Sequence, residues 1–189
     1  MKISEEHLNA GSVLLTVESN IKSVFMLKPV DLTQTKIGLL HYMVVSTIYS
    51  ILLYTSFLIK KIIELRIASL AASLVFPVFP IIGCFFIILT SFIIGRIYGL
   101  FLNEHSLKNY YLVLLSFGYL SIVILISSIL GDLSGIFYIC AGIASDYFLR
   151  ESLVKGKEWT SQKDEYYFIT ISMVMNIGLY WAILPLFFQ

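Results

Sequence analysis

The chain has 189 residues, of which 58% are hydrophobic and 13% are charged, and its mean hydropathy is +0.88. Soluble globular proteins contain about 25% charged residues, so this composition is typical of a membrane protein. The formal net charge of +1 provides no basic field for a phosphate backbone, and a nucleic-acid-binding role is therefore excluded.

Residues 1–36 precede the first long apolar block and are predicted to form a cytoplasmic segment. Apolar residues recur here at spacings of three and four, which is the pattern of an amphipathic helix that ends before Pro29. One interpretation is an interfacial helix that offers a docking face to a partner, and the other is a lead-in that packs against the bundle. The predicted docking face consists of Val17, Ile21, Val24 and Phe25.

The remainder of the chain, 37–189, is predicted to form one all-α membrane domain, a polytopic bundle of about five transmembrane helices. A hydrocarbon core of about 30 Å requires roughly 20 apolar residues in helical form. Apolar blocks that meet or approach this length cover residues 37–59, 67–102, 110–130, 136–149 and 166–188. The fourth block is short for a span, and the second is unusually long.

The second block, 67–102, is interrupted by Pro77 and Pro80. Because a proline removes a backbone donor and clashes with the preceding turn, a kink is predicted at these two residues. One long kinked span is favoured over two half-spans, since so short a block cannot cross a bilayer twice comfortably. Both arrangements stay open at this point.

An odd number of spans places the two ends of the chain on opposite sides of the membrane. Lysine and arginine are enriched in the cytoplasmic loops of membrane proteins. Ten of these residues fall on the amino-terminal side of the predicted topology, whereas the other side holds only Lys60, Lys61 and Arg66. The amino terminus is therefore predicted to be cytoplasmic, and the carboxyl terminus to be outside or lumenal.

Charged residues inside the apolar blocks are the main candidates for a site, because an intramembrane charge is costly unless it is paired or reaches water. Asp146 lies in the fourth block, one helical turn before Arg150, and Arg96 lies near the end of the second block. A local Asp146–Arg150 ion pair is one interpretation. The other is a polar pair between Asp146 and Arg96 across two helices, which would mark a pocket or lock the bundle.

Small residues in the blocks allow helices to approach closely, as membrane helices do where lipid removes the hydrophobic drive for association. Packing inside the bundle is favoured over homodimerisation for these residues, which are Gly95, Gly99, Ala141, Gly142 and Ser145. The sequence contains no motif typical of intramembrane proteases, hydrolases, ATPases, metal sites or redox enzymes. We therefore expect no enzyme and predict no catalytic, metal-binding or cofactor-binding residue.

Four segments around and within the blocks occur in a recognisable order: the run from Asn20 to Pro29, Ile97-Tyr98-Gly99-Leu100-Phe101, Ser106-Leu107-Lys108, and Ser145-Asp146-Tyr147-Phe148-Leu149. In this order they resemble the membrane domain of the bacterial Yip family (Ypt/Rab-interacting proteins), over about residues 20 to 188. The resemblance implies a five-span helical protein with a cytoplasmic amino terminus and no catalytic residues. Eukaryotic relatives in this family engage Rab-type GTPases and partner membrane proteins in vesicle traffic.

The first functional hypothesis is a non-enzymatic, Yip-like membrane protein that serves as a protein-binding or scaffold component of a membrane complex or of membrane trafficking. One alternative is a small transporter or permease subunit with a polar path near Asp146 and Arg96. Another is an accessory structural subunit of a large membrane assembly. In each case the expected partners are the lipid bilayer and other membrane proteins, in a hetero-complex or a homo-oligomer.

Overall fold

The computed structural model describes the chain as a set of helices, all of the regular structure in the described residues being helical. The described residues are 10–32, 35–63, 78–102, 106–130, 134–154, 166–168, 170–174 and 177–178. Five helices have defined bounds: α1 (Ala10–Phe25), α2 (Leu39–Ile63), α3 (Val78–Leu102), α4 (Leu107–Leu130) and α5 (Ser134–Val154). The prediction of an all-α fold is confirmed for this part of the chain.

Three helices among the described residues are long and apolar enough to cross a membrane, namely α2, the Ile81–Leu100 part of α3, and α4. Each lies largely within a predicted block, because a run of some 20 apolar residues is a strong signal of a helix that could span. The fourth predicted block, 136–149, lies inside α5, which is longer at 21 residues. Hydropathy underestimates the length of α5, because the last turn of this helix carries charged residues.

Pro80 lies in the first turn of α3, three residues into the helix. The first four N–H groups of a helix have no partner within it, so a proline in this turn removes no helical hydrogen bond. The predicted kink at Pro77 lies outside the described residues, together with all of 64–77. The choice between one kinked span and two half-spans lies there as well.

The core of the described bundle is built around α4, which contacts α1, α2, α3 and α5. In the most apolar stretch of each helix, the buried share is 78% in α4, compared with 33% in α2 and 28% in α3. The two outer helices therefore present most of their apolar surface to their surroundings. Side chains such as Tyr111, Leu114 and Leu115 of α4 are fully buried and fill the centre.

Two glycines set how closely α4 approaches its neighbours. A Cβ atom placed on Gly95 of α3 would lie 2.4 Å from Cδ1 and 3.1 Å from the Cα atom of Tyr110. A Cβ atom placed on Gly118 of α4 would lie 2.7 Å from the hydroxyl oxygen of Tyr49. That hydroxyl donates to the carbonyl of Leu115 at 2.9 Å, so the missing side chain also leaves room for an interhelical hydrogen bond. Close approach of this kind is how membrane helices gain packing energy.

The carboxyl end of α1 closes with a Schellman motif that lacks the usual glycine. The N–H of Leu27 donates to the carbonyl of Val24 at 3.0 Å, and the N–H of Lys28 donates to the carbonyl of Ser23 at 2.9 Å. Leu27 has a φ of 53°, in the left-handed region. An L-residue with a side chain costs about 1–2 kcal/mol in that conformation, so a leucine here is held at the expense of backbone strain.

Candidate functional site

Asp146 is buried in α5, where 9% of the residue is exposed. Its Oδ1 atom accepts a hydrogen bond from the Ser172 hydroxyl, and the Ser172 Oγ atom lies 2.8 Å from the Tyr98 hydroxyl. Because Ser172 has one hydroxyl hydrogen and donates it to Asp146, Tyr98 must be the donor to Ser172. The three residues form a chain of hydrogen bonds, which we call the polar cluster.

The polar cluster joins three parts of the bundle, since Tyr98 belongs to α3, Asp146 to α5, and Ser172 to the helical residues 170–174. Tyr98 and Ser172 are 1% and 0% exposed. The ring of Phe168 lies with its centroid 5.6 Å from that of Tyr98 and shields the cluster on one side. A buried carboxylate that accepts a hydroxyl hydrogen is far less costly than an isolated one.

Neither predicted ion pair of Asp146 is present among the described residues, where the salt bridge is Glu18–Lys22 at 2.7 Å. Arg150, one turn away on α5, attracts the Asp146 carboxylate electrostatically without reaching salt-bridge distance. Arg96 lies exposed on α3 and points away from the cluster. The geometry of a helix explains this: Arg96 and Tyr98 are two residues apart, which is about 200° around the axis.

The outward surface of α3 is one continuous stripe, which we call the outer stripe. Its exposed residues recur at spacings of three and four over five turns of helix, so they share a face. The stripe consists of Ile82, Phe85, Phe86, Leu89, Ile93, Arg96 and Leu100. Arg96 is the charged residue in an otherwise apolar row, and it lies six residues before the end of α3, about 9 Å along the axis.

The predicted docking face of α1 lies mostly inside the structure. Val17 and Val24 are 1% and 0% exposed, and Ile21 is half-buried against the core. Phe25 differs, since 46% of it is exposed. Contacts of α1 with α4 and α2 account for the burial, which is the arrangement of a lead-in that packs against the bundle.

The predicted small-residue positions are all buried, and two of the helix contacts they make are visible. Gly95 faces Tyr110 of α4, and a Cβ atom on Gly142 would lie 2.9 Å from Cγ1 of Ile177. Internal packing therefore uses these glycines. The buried positions are Gly95, Gly99, Ala141, Gly142 and Ser145.

An aromatic cluster that the sequence did not indicate joins α2, α3 and the start of α4. The Tyr42 ring stacks on Phe92 at a centroid distance of 5.4 Å and meets Tyr111 edge-on at 5.6 Å. The Tyr42 hydroxyl donates to the carbonyl of Leu107, in the first turn of α4. Tyrosines at span ends are common interfacial anchors, so their positions in the sequence gave no sign that these three rings would meet.

The polar cluster was also only partly predictable. Asp146 is conspicuous as a carboxylate in an apolar block, whereas Ser172 and Tyr98 are residue types that occur throughout the predicted spans. No group of three or more histidine, cysteine, aspartate or glutamate side chains suited to a metal ion occurs among the described residues. Comparison of the chain with family models, with curated proteins and with solved structures finds no match.

Proposed function

We propose that the protein is a non-enzymatic, multi-span membrane protein of Yip-like type that binds other membrane proteins within the bilayer. The observation that carries this proposal is Arg96 on the outer stripe of α3. The protein then acts as a scaffold or a component of a membrane complex. The binding surface is the lateral face of a helix, and the chemistry it offers is apolar packing around one guanidinium group.

An arginine on an outward, apolar helix face is unusual, because charged side chains in membrane helices almost always face the bundle interior or a polar cavity. Arg96 has no ion-pair partner among the described residues. Its neighbours on the stripe, Ile93 and Leu100, are 55% and 65% exposed. A carboxylate on a helix of a partner protein would pair with the guanidinium, and the apolar residues of the stripe would pack against that helix.

The interior of the bundle supports binding rather than chemistry. The carboxylate of Asp146 is already engaged by Ser172, and Gly95 and Gly142 already make close contacts within the chain. These groups tie the bundle together. The outer stripe, by contrast, carries a guanidinium group that has no ion-pair partner in the described part of the chain.

Neutralising Arg96 is expected to release the partner. We expect Arg96→Gln to lower recovery of the complex from membranes in mild detergent about tenfold, since a charge-assisted hydrogen bond contributes about 1.5–3 kcal/mol. Recovery would be measured by size-exclusion chromatography with light scattering, beside the fraction of folded protein. Lys28→Gln removes an exposed positive charge away from α3 and is the matched control.

Two outcomes of this experiment speak against the proposal. An arginine that only reaches lipid headgroups would leave the complex unchanged when it is neutralised. An equal loss in Arg96→Gln and Lys28→Gln would point to general charge attraction and not to the outer stripe.

We extend the proposal to five spans with a cytoplasmic amino terminus, α5 and the block 166–188 being the fourth and fifth. The 21 residues of α5 reach about 31 Å, which is enough to cross the hydrocarbon core. The antiparallel arrangement of α4 and α5 is supported by residues 30–32, which contact both the start of α4 and the end of α5. Val30 donates to Ser152 at 3.2 Å, and Lys108 donates to the carbonyl of Leu32.

Cysteine labelling tests this topology in sealed vesicles. We expect a single cysteine in place of Lys2 to react with a membrane-impermeant thiol reagent only from the cytoplasmic side, and one in place of Gln189 only from the opposite side. The background would carry Cys84→Ser and Cys140→Ser, since both native thiols are free. Reaction of both positions from the same side would contradict an odd number of spans.

A second candidate function is a small transport subunit. The observation that favours it is the polar cluster, because a carboxylate and two hydroxyls in sequence are groups that can coordinate a cation or pass a proton. Arg96 does not belong to such a path, since it faces outward. The two candidates differ in what they require of Asp146: transport requires its charge, whereas a structural tie requires only its hydrogen bond.

A further inference from the structure

Residues 10–32 form a hairpin that is fastened to the bundle along both arms, and we call it the amino-terminal hairpin. In the descending arm, the Tyr119 hydroxyl donates to the carbonyl of Val24 at 2.6 Å. The side-chain amide of Asn20 donates to the Tyr111 hydroxyl at 3.4 Å. Both tyrosines belong to α4, so this helix holds α1 at two levels.

The spacing of these two contacts fixes the direction of α1. Tyr111 and Tyr119 are eight residues apart, about 12 Å along α4, whereas Asn20 and Val24 are four residues apart, about 6 Å along α1. From the first contact to the second the residue number rises in both helices, so α1 runs alongside α4 in the same direction. The contacts progress from the start of α4 toward its middle, so the carboxyl end of α1 points into the bundle.

The depth of the hairpin is given by its contact with Tyr119, measured along α4 from Leu107. Tyr119 lies twelve residues after Leu107, about 18 Å along a helix of about 36 Å. Helix side chains lean toward the amino terminus, which brings the Tyr119 hydroxyl and the Val24 carbonyl back toward the entrance of α4. Val24 therefore lies about 10 Å inside the level of Leu107, below the headgroup region of a bilayer that α4 spans.

The second arm of the hairpin, residues 28–32, returns to the level at which α4 begins. The N–H of Val30 donates to the Ser152 hydroxyl near the end of α5, and the carbonyl of Leu32 accepts from Lys108 in the first turn of α4. Residues 25–29 are consequently the lowest part of the hairpin. This part of the chain enters and leaves on one side without crossing.

The tip of the hairpin is apolar and exposed. Phe25, Met26 and Leu27 are 46%, 62% and 46% exposed, and Lys28 is the first charged residue after them. Leu27 occupies the left-handed position that glycine would adopt without strain. Keeping a leucine there retains an outward apolar side chain at a backbone cost, which indicates a use for that side chain.

We propose that the tip Phe25-Met26-Leu27 is a re-entrant wedge that inserts among the acyl chains of the cytoplasmic leaflet. The occupant of the exposed apolar surface is lipid, because the tip lies at acyl-chain depth beside α4. Lys22 and Lys28 flank the tip and are long enough to extend toward the phosphate level. Lys22 is further neutralised by its ion pair with Glu18. The inference rests on the proposed function in one respect, that α4 spans a membrane.

Depth-dependent fluorescence quenching tests the wedge in the full-length protein. Single cysteines would replace Met26 at the tip, Ser12 at the exposed start of α1, and Leu89 in the middle of α3, each with Cys84→Ser and Cys140→Ser. All three positions are exposed, so substitution leaves the core intact. The labelled variants would be placed in phosphatidylcholine–phosphatidylglycerol vesicles that carry a spin label either on the acyl chain or on the headgroup.

We expect the Met26 label to be quenched by acyl-chain spin labels about twice as strongly as the Ser12 label, and comparably to the Leu89 label. Ser12 lies fourteen residues before Met26, about 21 Å back along the hairpin. If the label at position 26 is quenched no more strongly than the label at position 12, while the label at position 89 is strongly quenched, the wedge is overturned and the membrane proposal stands. If the acyl-chain spin labels do not quench the label at position 89, the membrane proposal itself is overturned.

Discussion

Gly95→Val is expected to lower the free energy of unfolding by about 3 kcal/mol, the upper part of the usual range for overpacked positions. The first added carbon would already lie 2.4 Å from a ring carbon of Tyr110 and 3.1 Å from its Cα atom. The ring cannot simply rotate away, because it packs edge-on against Phe92 at a centroid distance of 5.2 Å. The Cα atom belongs to the backbone of α4, so α3 must move outward as a unit.

Gly178→Val is the matched control for this substitution. Gly178 is also helical, and a Cβ atom placed there meets nothing within 4 Å. Valine is a better helix former than glycine, so this variant should unfold at the wild-type denaturant concentration or slightly above it. Unfolding would be followed by the loss of helical circular dichroism in detergent with increasing dodecyl sulfate. Equal midpoints for the two variants would show that the close approach of α3 and α4 is not required.

The positions of α2 and α4 follow from hydropathy, because long uncharged runs leave the backbone no alternative to a helix in lipid. The end of α5 does not follow, since Arg150 and Glu151 interrupt the apolar pattern while the helix continues to Val154. Hydropathy thus locates the part of a helix that prefers lipid. Where the helix itself stops depends on backbone hydrogen bonding, which charged side chains at its end do not disturb.

The rotation of each helix about its axis was the main quantity that the sequence did not determine. In a water-soluble helix the polar face marks the outside, but the four apolar turns of α3 before Arg96 carry no such contrast. The outward position of Arg96 and the inward position of Tyr98 follow from contacts of α3 with α2 and α4 and of Tyr98 with Phe168 and Ser172. The charges of Arg96 and Asp146 therefore do not indicate whether the two side chains lie on facing sides of their helices.

The sequence indicates the apolar face of α1, but it does not indicate which surface covers that face. Val17 and Val24 form an apolar row that would look the same against lipid, against a partner or against α4. The row is buried where α1 is held against the bundle by two hydrogen bonds, one that Tyr111 accepts from Asn20 and one that Tyr119 donates to Val24, across about ninety residues of sequence. Contacts at such separation leave no trace in local periodicity.

Asp146→Ala is expected to lower the free energy of unfolding by about 1–3 kcal/mol, because the Ser172 and Tyr98 hydroxyls would lose the acceptor at the end of their chain. Asp146→Asn keeps the size of the side chain and an oxygen that can accept from Ser172, so we expect it to lose about 1 kcal/mol or less. Unfolding of both variants in dodecyl sulfate would be compared with wild type. Equal losses in the two variants would contradict a role based on the hydrogen bond.

A double-mutant cycle with Ser172→Ala isolates the tie between Asp146 and Ser172. If the two side chains stabilise the bundle through one hydrogen bond, the double variant loses less than the sum of the single variants, by about 1 kcal/mol. The Asp146→Asn variant also separates the two candidate functions. A structural tie leaves the protein folded and bound to its partner, with ion flux in vesicles unchanged from wild type. A transport path loses its charge in the same variant, so its flux collapses while its stability hardly changes.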